Sequence, residues 1–230
     1  MPEPSSLCQT KASGGQDPAW PDPVRSVLVT MDMQIAFADP GSPLFAPGTE
    51  LVADQVRQCA RLFEDAARPV VHVMRLYGEG RWLPEITRRD FVALNPDILA
   101  PESKGAALIP GLLPEDAEID WRIVVEGRPQ RLAPKVHLLA KPRWGAFHRT
   151  AMEDLLETLD ADSLLICGTF FPNCVRATIY EALSRDLRIA VIPEATAGWT
   201  DERAADLHAV GLRSLPLAEL PGFLALAQDK

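Results

Sequence analysis

Three residues of this 230-residue sequence combine a reactive type with a suggestive setting: Cys174, Asp32 and Lys141. Cys174 closes the stretch GTFFPNC, where the apolar run Ser163–Cys167 gives way to a helix-forming segment. Asp32 ends the apolar run that starts at Arg25, and Lys141 follows the run Val136–Ala140. In a parallel sheet the carboxyl ends of the strands lie along one edge, which is where ligands bind. Residues far apart in the chain would meet there as a thiol, a carboxylate and an ammonium. A free thiol has a pKa near ~8.5 and only its thiolate attacks well. A helix N-terminus and a neighbouring ammonium are expected to lower that pKa. Asp32 would accept the thiol proton and return it to a leaving amine. Backbone N–H groups of the turn would hold the oxyanion of a tetrahedral intermediate. Each residue also has a plain reading. A lone cysteine is often a small buried apolar residue, a lone aspartate after a strand a turn residue, and a lone lysine a solvated cation.

The elements that must position these groups follow from periodicity. Apolar runs at Arg25–Asp32, Pro69–Leu76, Val136–Ala140, Ser163–Cys167, Arg188–Ile192 and Leu212–Leu215 read as strands. Between them lie amphipathic segments: from Thr49, a capping candidate, to about Phe63; from Thr150 to about Leu159; from about Asn173 to Arg185; and from Asp201 to about Val210. Strands alternating with helices imply a parallel α/β sheet. The stretch from Tyr77 to about Pro134 is irregular, and long excursions of this kind are often functional loops or lids.

The length suits one domain, placed at 23–220, with a disordered lead at 1–22 and a C-terminal tail at 221–230. A formal charge of −9 argues against a nucleic-acid partner. No apolar run reaches the roughly 20 residues of a membrane span, and no secretory h-region opens the chain. Cys8, Cys59, Cys167 and Cys174 follow neither a disulfide framework nor a zinc spacing, so reduced thiols and a cytoplasmic location are expected.

Three ordered motifs carry a more specific signal: VLVTMDMQIAF around Asp32, KPRWGAF from Lys141, and CGTFFPNCVRATIYEA around Cys174. Together they resemble the isochorismatase-like cysteine hydrolases, which read strand-D-x-Q, K-x-x-x-x-x-F and G-x-x-x-x-x-C-V in that order. The likeness runs from about Val24 to Leu215. It implies a three-layer α/β/α sandwich around a six-stranded parallel sheet. It also implies a triad of Cys174 as nucleophile, Asp32 as general base and then acid, and Lys141 as activator. A cis peptide at Thr169-Phe170 would aim the Phe170 N–H at the same point as the Cys174 N–H, forming the oxyanion hole. Pro172 would limit the turn and Asn173 would cap the new helix. The implied reaction is hydrolysis of a small amide or ureido compound through a thioester, with no cofactor. Metal-holding relatives use a D-x-H after the first motif with a further His; none follows Asp32 in that way (Asp206-Leu207-His208 lies far downstream) and no H-x-H occurs, so no catalytic metal is expected and nicotinamide is disfavoured. A buried or hydrogen-bonded role suits His72. Homodimers or homotetramers are implied as well.

For the substrate pocket the sequence offers Phe37 and Trp144, each in the motif loop beside a triad residue, then Trp82, Phe171 and Arg88. Arg75, Arg88 and Arg89, with Arg213 weaker, could pair with a substrate carboxylate or simply with the acidic surface. The FPNC form, with IYEA and RD after it, looks closer to relatives acting on ureido or small amide compounds. Three other readings stand beside this one. One is isochorismatase proper, cleaving a vinyl ether with the aspartate alone. Another is a non-catalytic binding protein on the same fold. The third, a nucleotide-binding α/β protein, lacks any glycine-rich phosphate loop after a strand.

Overall fold

A computed structural model describes residues 17–227. Its strands are β1 (Ser26–Met31), β2 (Val70–Arg75), β3 (Gln130–Ala133), β4 (Val136–Lys141), β5 (Ser163–Gly168), β6 (Arg188–Thr196) and β7 (Arg213–Ser214). Its helices are α1 (Ile35–Ala38), α2 (Thr49–Asp65), α3 (Arg89–Leu94), α4 (Trp121–Val125), α5 (Met152–Thr158), α6 (Arg176–Leu183), α7 (Asp201–Ala209) and α8 (Leu220–Ala225). The strands form one sheet in the order β3-β4-β2-β1-β5-β6-β7. The six strands expected from the sequence are all mutually parallel, and a seventh, β3, pairs antiparallel with β4 at one edge. That strand is short and half-exposed, so it has no apolar run to announce it.

Every residue of β1, β2, β4 and β5 is buried, as expected for strands covered on both faces. Side chains alternate between the two faces. Leu28 packs with Val56, Cys59 and Phe63 of α2, and Phe223 of α8 joins the same cluster. Val27, Val29 and Met31 pack with Leu155 of α5, Ile179 of α6 and Leu207 of α7. These two clusters are the outer interfaces of a three-layer sandwich. Each fully buried Leu, Val or Phe contributes roughly 1.5–3 kcal/mol relative to exposure.

The ends of the domain lie further out than the sequence suggested. The lead expected at 1–22 is tied down from Asp17 onward, while residues 1–16 lie outside the described residues. Arg213 Nε donates to Asp17 Oδ2 at 2.8 Å, and the Asp22 N–H donates to Ser163 Oγ at 2.9 Å. The tail expected from 221 packs against the sheet through buried Phe223 and Leu224, and residues 228–230 are likewise outside the described residues. The 77–134 excursion is packed too. Leu99, Ala106 and Val124 are buried, and the Ile35 and Ala36 N–H groups donate to Ala107 and Gly105 carbonyls at 2.9 and 3.0 Å. Its contacts fasten it to α1, at the carboxyl edge of the sheet.

Candidate active site

Strand register brings the chemistry together. Met31 pairs with Gly168 across β1 and β5, and Arg75 pairs with Lys141 across β2 and β4. Asp32, the next residue after β1, therefore sits between the ends of β4 and β5. Its backbone is left-handed, with φ 50°, a conformation that aspartate tolerates better than most residues. The Asp32 N–H donates to Val73 O at 2.8 Å, which holds that turn against β2.

Lys141 is fully buried and spends all three ammonium hydrogens. It donates to Asp32 Oδ2 at 2.8 Å, to Arg143 O at 3.1 Å and to Trp144 O at 2.9 Å. The ion pair thus has fixed geometry as well as charge neutrality. The other carboxylate oxygen, Asp32 Oδ1, is buried and has no hydrogen-bond partner among the described residues. Cys174 borders the same cavity as Asp32 and is 8% exposed.

Here the structure corrects the expected thiol acidity. Burial pushes the Cys174 pKa up to about 11, with the neighbouring Asp32 charge adding to the rise. Lys141 and Arg75 pull it down, but burial wins. The resting group is a neutral thiol beside a carboxylate, so thiolate must form as the proton moves.

The turn before the nucleophile is shaped by two glycines. Gly168 has φ +104°, and a Cβ there would lie 2.5 Å from Met31 O. Gly198 has φ +75°, and a Cβ there would lie 2.4 Å from the Phe170 ring. The Thr169-Phe170 peptide is cis. The Phe170 N–H has no backbone acceptor among the described residues, whereas the Phe171 N–H donates to Ala197 O at 2.9 Å. Phe171–Val175 forms a π-helical turn that leads into α6, so Asn173 lies inside that turn and does not cap a helix. Its residue instead lines the cavity. Thr49 is not a cap either. Gly48 holds the cap position, and the Thr49 hydroxyl donates to Ala46 O and meets Thr169 Oγ1, joining α2 to the oxyanion turn.

The cavity encloses about 210 Å³. Of the sequence-predicted pocket residues, Phe37, Trp144 and Arg88 line it, as does Phe170. Trp82 and Phe171 do not. Trp82 is buried in the core with its Nε1 donating to Val125 O at 2.9 Å. Phe171 is fully buried and packs edge-to-face on Trp199 at 4.6 Å, because its side chain points back under α6. The sequence reading passed over Tyr77 and Thr169 in the wall and Glu85 behind it. Tyr77 stands two residues beyond Arg75, and that spacing at a strand end was the available signal. Arg75 is almost fully buried and pairs with Glu85 at 2.8 Å, and the Tyr77 hydroxyl donates to the other Glu85 oxygen at 3.3 Å. Arg89 is exposed, and Arg213 is occupied by Asp17. A larger cleft of about 330 Å³ on the other side of α1 contains none of the triad.

The donor set does not suit a divalent cation. The carboxylate in the cavity wall, Asp32, and the one behind it, Glu85, are already paired with Lys141 and Arg75. Among the described residues no three His, Cys, Asp or Glu side chains cluster to hold a metal.

The isochorismatase domain family matches residues 26–215, nearly the whole sheet and its helices. The chain belongs to the isochorismatase family. Within that family it is similar to a probable inactive nicotinamidase of Arabidopsis thaliana, with 26% identity covering 87% of this chain and 96% of the relative. It is also similar to a maleamate amidohydrolase of Pseudomonas putida, with 24% identity covering 82% of this chain and 78% of the relative. Among solved structures, an isochorismatase family protein from Desulfovibrio vulgaris superposes with a TM-score of 0.73 at 25% identity, covering 87% of this chain and 98% of that one. The names among its relatives include amidohydrolases acting on small amide and ureido compounds.

Proposed function

We propose that this protein is a cysteine-dependent hydrolase that cleaves a C–N bond of a small amide or ureido compound. The observation that carries the reading is the arrangement at the sheet edge: a cavity-facing thiol beside a carboxylate that Lys141 grips by one oxygen, leaving the other without a partner. As the Cys174 sulfur bonds to the carbonyl carbon, its proton passes to Asp32 Oδ1. The carbonyl oxygen becomes an oxyanion held by the Phe170 and Cys174 N–H groups, placed where charge develops. Asp32 then gives its proton to the leaving nitrogen, and the C–N bond breaks to leave a thioester. Water attacks the thioester, with Asp32 taking one of its protons, and the acid leaves as the thiol is restored. Lys141 offsets the Asp32 charge in the dry interior and fixes the orientation of the carboxylate. All three triad positions are filled, which favours catalysis over a binding role despite the inactive relative. Three buried free cysteines suit a reducing, cytoplasmic setting.

The test is an ammonia-release screen over small amides and ureido compounds with the wild type, Cys174→Ala and Cys174→Ser. Both variants are expected to stay folded and lose nearly all turnover. Wild-type-like turnover in Cys174→Ala overturns the nucleophilic role, and pyruvate release from isochorismate without ammonia release points to vinyl ether cleavage.

A further inference from the structure

Two of the three acceptors that hold Lys141 belong to an irregular segment. The Arg143 and Trp144 carbonyls, at 3.1 and 2.9 Å, lie in the loop between β4 and α5, which consists of bends and turns. The helix that follows the nucleophile fixes that loop. The Ala146 and Phe147 N–H groups, consecutive along it, donate to Thr178 Oγ1 at 3.1 Å and to Glu181 Oε2 at 2.8 Å. Ala146 is fully buried, so its N–H needs such a partner. Thr178 and Glu181 stand three residues apart in α6 and share one face. The single hydroxyl proton of Thr178 goes to Cys174 O at 2.8 Å, which leaves the oxygen's lone pairs for Ala146. A threonine that bonds back to the carbonyl four residues earlier is ordinary in a helix. The bonds from Ala146 and Phe147 are what join this face to a distant segment. Gly145 permits the approach, since a Cβ there would lie 2.1 Å from Glu181 Oε2. Arg185 closes the clasp from outside: it donates to Glu181 O at 2.8 Å, and its guanidinium lies 4.8 Å from the centre of the Phe147 ring.

We propose that Thr178 and Glu181 are positioning residues: together they clamp residues 145–147 to the nucleophile's helix and so hold the Lys141 ammonium at a set place relative to the Cys174 sulfur. This rests on the hydrolase reading above. The bonds run from Cys174 O through Thr178 Oγ1 to the Ala146 N–H, then back along the loop to Trp144 O, Lys141 Nζ and Asp32 Oδ2. The sheet gives no such direct link, because β2 and β1 stand between β4 and β5. The same clamp carries Trp144, which lines the cavity, so the wall and the cation keep one frame. With the clamp released, Lys141 loses its ordered carbonyls and its pull on the thiol weakens, since an ammonium lowers a thiol pKa only from close by.

Alkylation by iodoacetamide, in which the Cys174 sulfur displaces iodide, tests this without turnover; the rate is read at the Cys174 peptide by mass spectrometry across a pH series. Thr178→Val removes the hydroxyl at nearly constant volume, and Glu181→Ala removes the other acceptor. Each is expected to slow alkylation at pH 8 about threefold and to move the pH profile upward. Each should also lower kcat about 10- to 100-fold with a smaller change in KM. Thr178→Ser and Glu181→Gln, which keep an acceptor, are expected to restore the profile. Gln also lacks the charge, so the difference between Ala and Gln reports the bond alone. The double variant Thr178→Val/Glu181→Ala should be no slower than the slower single variant, because both act through one segment. Wild-type profiles in the Val and Ala variants, effects that multiply in the double variant, or failure of Ser and Gln to restore the profile each overturn the proposal. Should Thr178→Val not fold, the Glu181 pair decides by the same criteria. A wild type without hydrolase turnover would still give the alkylation profiles, so failure of the hydrolase reading is distinguishable.

Discussion

Replacing Asp32 with Asn should make the sulfur more reactive toward an external electrophile while abolishing hydrolysis. The Cys174 pKa is held at about 11 first by burial and next by the Asp32 charge, with Lys141 and Arg75 opposing. At pH 8 a thiol of that pKa is about one part in a thousand thiolate. Asn keeps the shape of Asp but removes the charge, while Lys141 retains its carbonyl acceptors at Arg143 and Trp144. A like charge beside a thiol raises its pKa by about one to two units, so removing it should raise the thiolate population about 10- to 100-fold. Nucleophilicity falls as a thiol becomes more acidic, with a Brønsted slope of about 0.4–0.5, which removes roughly half of that gain on a logarithmic scale. The net expectation is about 3- to 10-fold faster alkylation of Cys174 by iodoacetamide at pH 8. Turnover should fall by about 10²–10⁴, because Asn cannot carry the proton from sulfur to the leaving group. Breaking a buried ion pair costs about 3–5 kcal/mol, so rates are read well below the variant's own melting temperature, with circular dichroism confirming the fold. Slower alkylation in the Asn variant, or retained turnover, would refute the assignment of Asp32 as the group that both holds the thiol neutral and moves its proton.

Two further expectations concern stability and the turn. His72 is fully buried, bonded to Thr30 Oγ1 at 2.8 Å, and burial lowers its pKa from 6.5 to about 4. Between those values the unfolded chain binds a proton that the folded chain does not, so stability falls as pH drops through this window, by about 3 kcal/mol in all. Urea midpoints measured from pH 7 to 4.5 should show this slope, and His72→Gln should flatten it; an unchanged slope counts against a buried neutral imidazole. Gly168→Ala places a Cβ against the Met31 backbone at a φ unsuited to L residues, so the melting temperature should fall and the Cys174 labelling rate should change together. A variant with wild-type melting and labelling would refute the close packing of Gly168 on the Met31 backbone as a determinant of the turn.

The sequence by itself determined the six parallel strands, the helices between them and the carboxyl-edge placement of Asp32, Lys141 and Cys174. Continuous apolar runs and helical periodicity are local signals, and a parallel sheet turns them into one shared edge. The three ordered motifs carried the family as well. Only the tertiary structure decided which aromatics border the cavity. Phe170 and Phe171 are neighbours of identical type, yet one lines the cavity and the other is packed under α6 against Trp199. Trp82 likewise resembles Trp144 in sequence but is held in the core by Val125. The same holds for acidity: a lysine next to a thiol predicts a lowered pKa, whereas the depth of burial, which no local pattern encodes, sends it the other way. It also separates Arg88 from Arg89, since ion pairing and access to a cavity arise from contacts between distant segments and leave no trace in spacing.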